Sequence, residues 1–367
     1  MARKRPSICK KGHALRRLAS APSGWSISYH GNCFVCGDGQ QKMARGGSKG
    51  GSISKRRKPG VDKYGSGHHW RCIRTLFSSI TPRFKAANVL FVESFAGVSS
   101  RTAAAAAFLG MAVLRIAWSA DPHIPDLCST IWRESEVPTL ACGVACTWLL
   151  DLSQQAHRNK LRQFIFSCVT TGAHAQGPLK LKRLALHTSP PCTPWCKWTS
   201  VNRGKAKKKG HAAIMAYTRK RKRTLADGAT LIRFTRKLHA GAERLCIRER
   251  TDFMGLHEQP DRARMPSDFH TEPWNGGEQV WPTAFVNINC GLVKVAGCEV
   301  GLANARGELM HKKWRFQVRN CINLERVLSA YTCSHNGKHA TAEGADTQPT
   351  QFYTCKLAAT LATGALY

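Results

Sequence analysis

Acidic residues are scarce in this chain. Aspartate and glutamate together number 22, against 56 lysines and arginines, for a formal net charge of +34. A surplus of that size calls for a polyanionic partner. Each phosphate neutralised by a basic side chain releases a condensed counterion, so nucleic acid is the expected partner. An anionic membrane surface is the rival, but no amphipathic basic helix stands out as an anchor. Long apolar runs are missing too. The most apolar stretch, Ala103 to Trp118, is too short to span a bilayer and contains Arg115. No apolar run of signal type follows Met1-Ala2-Arg3-Lys4-Arg5-Pro6. The expectation is no membrane and an intracellular protein, nuclear in a eukaryote. A G-x-G-x-x-G fingerprint and a fixed-period repeat are likewise missing.

Cysteine, by contrast, is plentiful. The 16 cysteines are scattered rather than framed as disulfide pairs, so reduced thiols are expected. Residues 1–85 read as a basic, flexible arm, with Gly46-Gly47-Ser48-Lys49-Gly50-Gly51-Ser52 and Lys55-Arg56-Arg57-Lys58. The Lys55–Lys58 cluster suits a nuclear import signal or a phosphate-binding tail. His30-x-x-Cys33-x-x-Cys36 supplies three potential zinc ligands. Cys9, His13, His68, His69 and Cys72 lie nearby in the chain, but none completes a familiar four-ligand pattern, so unligated thiols are expected there.

From Asn88 the texture changes. Val89-Leu90-Phe91-Val92 reads as a buried parallel strand. An alanine-rich helix over Thr102 to Leu109 follows, then a strand over Leu114 to Trp118. Thr147-Trp148-Leu149-Leu150 leads to Asp151, and Leu184-Ala185-Leu186-His187 leads to Ser189-Pro190-Pro191-Cys192. A helix is expected from about Leu225 to Glu243 and a strand near Asp252 to His257. Strands alternating with helices predict an α/β fold, a doubly wound, mostly parallel sheet over residues 86–367. Such sheets gather ligands at the carboxyl ends of their strands. Glu93, Asp121, Asp151, Cys192 and Glu258 are all expected just past such ends.

Each of these residue types suits a chemistry. Glu93-Ser94-Phe95-Ala96-Gly97 opens onto a helix of small residues, which lets backbone approach a ligand closely. Asp121 is suited to accept hydrogen bonds from a ribose. Two prolines stiffen the lead-in to Cys192. A thiolate there gains from positive charge, and Lys197, Arg203 and Lys205 follow on what reads as a glycine- and lysine-rich loop. Glu258 is placed to give or take a proton beside that thiol.

Taken in order, these motifs resemble the cytosine-C5 DNA methyltransferase family over roughly residues 88–366. Glu93-Ser94-Phe95-Ala96-Gly97 resembles its opening acidic-x-Phe-x-Gly motif, and Ser189-Pro190-Pro191-Cys192 its Pro-Pro-Cys nucleophile motif. Asp227-Gly228 resembles the approach to its Glu-Asn-Val motif, for which Glu258-Gln259-Pro260 stands in divergent form. Lys313-Trp314-Arg315 resembles its basic-x-Arg motif, and residues 351–366 its last helix, which returns to the cofactor pocket. The resemblance implies a fold of the S-adenosylmethionine-dependent methyltransferase type. It implies Cys192, Glu258 and Arg315 as catalytic residues. Glu93, Phe95, Gly97, Asp121 and Asp151 would bind S-adenosylmethionine, and the target cytosine would be flipped out of double-stranded DNA, the partner the resemblance implies. Lys205, Lys207, Lys208, Arg219, Arg221 and Lys313 would hold nucleic-acid phosphates. Little chain follows Asn320, which implies a minimal target-recognition region. Two alternatives stay open: an RNA methyltransferase of the same chemistry, and a nucleic-acid-binding protein that keeps the fold without turnover. Cys333, His335 and His339 cluster near the end, and an ordinary loop is the expected reading there.

Overall fold

The computed structural model describes residues 25–28, 42–45, 88–96, 100–117, 128–172, 181–191, 198–260, 273–274, 277–278, 290–304, 306–310, 312–335, 339–340 and 353–367. Among these, the side chains at 25–28, 42–45, 128–130, 198–200, 260, 273–274, 277–278, 290 and 313 are not described. The chain divides into two compact units, Met1–Ser79 and Ile80–Tyr367, a few residues before the boundary expected at 85. In the first unit β1 (Trp25–Ser28) pairs antiparallel with β2 (Lys42–Arg45), Trp25 opposite Arg45. The Trp-Ser-Ile-Ser alternation of β1 carries the strand period. The expected arm otherwise lies outside the described residues, including His30, Cys33, Cys36 and the Lys55–Lys58 cluster.

The second unit is a mixed α/β structure, compatible with a Rossmann-like fold. Its strands are β3 (Val89–Ser94), β4 (Ala112–Ala117), β5 (Cys128–Trp132), β6 (Ala145–Leu149), β7 (Arg183–Thr188), β8 (Asp252–Pro260), β11 (Cys290–Ala296) and β12 (Lys313–Arg319). They form one eight-stranded sheet in the order β11-β12-β8-β7-β3-β4-β6-β5. The pairings from β8 through β5 are parallel, and β12 runs antiparallel to both β8 and β11. Two short strands, β9 (Pro273–Trp274) and β10 (Gly277–Glu278), pair separately.

The helices are α1 (Arg101–Phe108), α2 (Gln155–Thr171), α3 (Trp198–Lys208), α4 (His211–Arg248), α5 (Ile322–Ser329) and α6 (Cys355–Gly364). Helix α6 packs on α1 and α5, while α4 packs on α2 and α3. The crossover β3-α1-β4 and the crossovers through α2 and α4 run in opposite directions along the sheet. Right-handed connections therefore set them on opposite faces. Strand alternation divides β3 accordingly. Leu90 and Val92 join the main apolar cluster with Leu114, Ile116, Leu161, Phe164, Leu231 and Leu238. Phe91 and Glu93 point to the other face. Each fully buried side chain of the Leu or Phe type contributes about 1.5–3 kcal/mol.

The structure departs from the sequence-based expectations at several places. Glu93 and Glu258 lie within β3 and β8, not past their ends. The glycine- and lysine-rich loop after Lys197 is helix α3: lysine, alanine and arginine are good helix formers, and one Gly204 costs only about 1 kcal/mol. Helix α4 begins at His211 rather than Leu225, and its buried residues start at Gly228. Asp227-Gly228 therefore lies mid-helix. The C-terminal half of α4 is locked by Glu243, whose Oε1 accepts from Arg319 Nε at 2.9 Å and Asn320 Nδ2 at 3.0 Å.

Candidate active site

Parallel pairing sets a polar row across the centre of the sheet. In register, Thr147 on β6 lies beside Arg115 on β4, Arg115 beside Glu93 on β3, and Glu93 beside His187 on β7. Arg115 Nη1 donates to Thr147 Oγ1 at 3.3 Å, and Glu93 Oε1 lies 3.8 Å from His187 Nδ1. Burial pushes the Glu93 carboxyl up, against the opposing Arg115 charge and the Ser100 hydroxyl. That hydroxyl donates to Glu93 Oε2 and accepts from Ala103 N at 3.1 Å, which caps α1. Glu93, expected to bind a cofactor, thus fixes the start of α1 from inside the sheet. Next to it Phe95 takes φ 64°. That region is sparsely populated by bulky residues and is a mark of functional turns. Ala96 N donates to Ile116 O at 3.0 Å, tying the turn to β4.

On the same face, on β8 beyond β7, stands Glu258. Its Oε2 accepts from Ser189 Oγ at 2.5 Å. The Tyr353 hydroxyl hydrogen-bonds Glu258 and Ser189 as well and lies 3.3 Å from His187 Nε2. Burial drives the Glu258 carboxyl above its ordinary value, with Lys312 and the two hydroxyls acting against it. Burial, then the charges of Glu258 and Glu93, raises the Tyr353 phenol too. Trp314 and Phe316 close the Tyr353 ring in, with centroids 5.9 Å away in each case. Arg101 Nη1 donates to Tyr353 O at 3.0 Å, so α1 and the approach to α6 meet here. The next residue of β8 works on the segment ahead of Cys192: Gln259 Nε2 donates to Pro190 O at 3.0 Å.

The structure thus brings Glu258 to the Ser189-Pro190-Pro191 lead-in, as the order of motifs implied. It does not bring Arg315 to Glu258. Glu258 pairs in register with Phe316, while Arg315 pairs with Gln259 and is buried on the opposite face. Asp151 follows β6 as expected, but its own turn engages the carboxylate. Oδ1 accepts from Ser153 N at 2.9 Å and Oδ2 from Gln154 Nε2 at 3.1 Å. Burial opposes ionisation there, and these bonds still hold the carboxyl below its usual range. Gly97, Asp121 and Cys192 lie outside the described residues, as does the Lys313 side chain. Lys205, Lys207, Lys208, Arg219 and Arg221 are all exposed, the first three on α3 and the others on the first half of α4. No aspartate or glutamate occurs between Trp198 and Ala226. Sequence reasoning missed His187, Ser189 and Tyr353 as site residues. Only the expected return of the last helix hinted at Tyr353.

The other face carries a second buried cluster. Thr188 Oγ1 lies 2.9 Å from His239 Nε2 and 3.0 Å from His257 Nδ1. Burial pushes His187 and His257 down to about 3, and His239 well below the ordinary 6.5. Between pH 6.5 and about 3 the unfolded chain therefore binds protons at these histidines that the native chain refuses. Their contribution to stability is full above pH 6.5 and is lost as pH falls through that window. Glu93 and Glu258 act in the opposite sense. Urea denaturation at stepped pH is expected to show stability falling on acidification, with a shallower slope in His257→Gln. An identical slope in the variant would refute the assignment.

Comparison with protein families, curated proteins and solved structures finds no match to this chain. Among the described residues no helix is long and apolar enough to cross a membrane.

Proposed function

We propose that this protein transfers a methyl group from S-adenosylmethionine to C5 of cytosine in DNA, with Cys192 as nucleophile and Glu258 as its acid. One observation carries the reading. Ser189 and Pro190 are bonded to Glu258 and Gln259 on the adjacent strand, at the carboxyl end of a doubly wound sheet. Cys192 follows two residues after Pro190, so the nucleophile segment is anchored to the acid. The strand order supports the methyltransferase type of sheet: order reverses on either side of β3, which creates the switch point where nucleotide-like ligands bind. The buried hydroxyls of Ser94 and Thr102, which have no hydrogen-bond partner among the described residues, fit a cofactor at that end of β3.

S-adenosylmethionine supplies an electrophilic methyl group, and Phe95, Asp151, Gly97 and Asp121 are the residues that would hold it. The chain's own residues do the rest. The Cys192 thiolate adds to C6 of the flipped base, and the ring's electron pair moves toward C5 and N3. Glu258, a carboxyl that burial inclines to keep its proton, donates to N3 and so removes the charge from the ring. After C5 is methylated, a water molecule takes the C5 proton, the C5–C6 double bond re-forms as the thiolate leaves C6, and the N3 proton returns to Glu258. Arg315, buried on the far face and paired in register with Gln259, would not touch the base.

The experiment that tests this is covalent trapping on 5-fluorocytosine, offered in DNA and in RNA. An adduct on DNA is expected. An adduct on RNA alone would move the substrate to RNA, and none on either would leave a binding protein.

Affinity would come from α3 and the first half of α4. Replacing Lys205, Lys207, Lys208, Arg219 and Arg221 with glutamine should weaken binding equally for all DNA sequences. The slope of log K against log salt should shrink by about 0.9 for each phosphate that is no longer neutralised. Fluorescence anisotropy over a salt series reads this out, and an unchanged slope would count against the helices as the phosphate surface.

A further inference from the structure

Four metal-ligating side chains converge at the edge of the sheet, away from the site above. Cys298 lies in the 3-10 turn Gly297–Val300 that follows β11. Cys333, His335 and His339 follow α5. The ligand atoms of all four lie within 4.8 Å of one another. Cys333 Sγ is 3.4 Å from His339 Nε2 and 4.0 Å from His335 Nδ1. A tetrahedral zinc, with Zn–S near 2.3 Å and Zn–N near 2.0–2.1 Å, places its ligand atoms about 3.3–3.8 Å apart. The observed spacings are those of such a tetrahedron, slightly open.

The geometry points to a structural zinc site of Cys2His2 type, formed by Cys298, Cys333, His335 and His339. Two thiols and two imidazoles select zinc over magnesium or calcium, which take oxygen ligands. Four protein ligands close the coordination shell and leave no position for water or substrate, which marks a structural site.

The surroundings are built for it. The two ligand-bearing segments are already joined by backbone: Ala296 N donates to Tyr331 O at 2.8 Å. Glu299 Oε1 accepts from Ser334 N and Ser334 Oγ, each at 2.8 Å. The same carboxylate lies 3.2 Å from His335 Nδ1. That nitrogen also faces Cys333 Sγ, so metal binding would exchange this Glu299 contact for the metal, while Glu299 keeps its two bonds to Ser334. The 3-10 turn also holds the last helix, since Lys356 Nζ donates to Glu299 O at 3.0 Å. The metal would brace the frame that presents Tyr353. The loop expected around Cys333, His335 and His339 becomes a site once Cys298, from a distant segment, is added.

The test uses the full chain, purified under reducing conditions without added metal, with metal content measured by mass spectrometry. The expected result is one zinc per chain, lost in Cys298→Ser and in Cys333→Ser and retained in a Cys33→Ser, Cys36→Ser double variant. Chelator should remove the zinc and lower Tm by several degrees. Cobalt added to the chelated wild-type protein should give tetrahedral d–d bands and a thiolate charge-transfer band, a readout that survives even if the cysteine variants fail to fold. A wild-type protein without zinc and without that cobalt spectrum overturns the proposal. So does zinc that follows Cys33 and Cys36, or a Cys298–Cys333 disulfide in the protein as purified.

Discussion

Cys192→Ala is expected to abolish the covalent product on 5-fluorocytosine DNA and to reduce methyl transfer by at least about 10³-fold, since a nucleophile's contribution to covalent catalysis is of that order or larger. The physical reason is electronic. C5 of cytosine is a poor nucleophile until a group adds at C6, and among the described residues of the site no other thiol stands beside Glu258. With fluorine at C5 no proton can leave after methylation, so the C6–S bond persists and the complex survives denaturation. The Ser189–Glu258 and Gln259–Pro190 bonds do not involve the thiol, so Tm and DNA affinity should stay near wild type. Gel mobility under denaturing conditions and a tritium-transfer assay measure the two effects. If Cys192→Ala still forms the adduct, Cys192 is not the nucleophile.

The second large effect belongs to Glu258. Glu258→Gln keeps the shape and keeps an oxygen to accept from Ser189, but has no acidic proton. Its kcat is expected to fall by about 10²–10⁴, the usual worth of a positioned acid, with little change in KM. Burial raises the wild-type carboxyl. Wild-type activity that needs the protonated acid is full below that raised value and declines as pH climbs through it. The decline should disappear from the residual activity of Glu258→Gln. A variant with wild-type kcat, or one that keeps the alkaline decline, would remove Glu258 from the chemistry. Because the Tyr353 hydroxyl bonds the same carboxyl, the decline should reflect the pair rather than Glu258 alone.

The central strands were legible because parallel strands buried on both faces read as short apolar runs: Val89-Leu90-Phe91-Val92 and Leu184-Ala185-Leu186 signal their own positions. Strand β5, with Cys128-Ser129-Thr130, carries no such run, and β11 is interrupted by Gly291 and Lys294. Helix α4 was legible only from Leu225, where apolar residues begin to recur at helical spacing. Its earlier half is helical through the propensity of lysine, arginine, alanine and methionine, which a search for an apolar stripe overlooks. The pairing of Glu258 with the Pro-Pro-Cys lead-in was legible as an order of motifs. The opposite facing of Arg315 was not, because it depends on the register of β12 against β8. Tyr353 and His187 are separated by 166 positions and meet only through folding. Cys298 carries no local signal at all, since its partners come from beyond α5.

The packing of α6 on α1, with Tyr353 held by Arg101, has a bearing on how the molecule comes into being. The first crossover of the sheet and helix α6 lie far apart in the chain, yet each covers the other. Before α6 is made, the face of β3 and β7 that carries Glu93 and His187 has α1 but lacks Tyr353 and α6. It stays exposed until α6 has been made and docked. Long-range closure of this kind slows folding and leaves sticky surface in the nascent state. It also means that the Glu258–Tyr353 pair is completed only once α6 docks, after the basic helices α3 and α4 have been made.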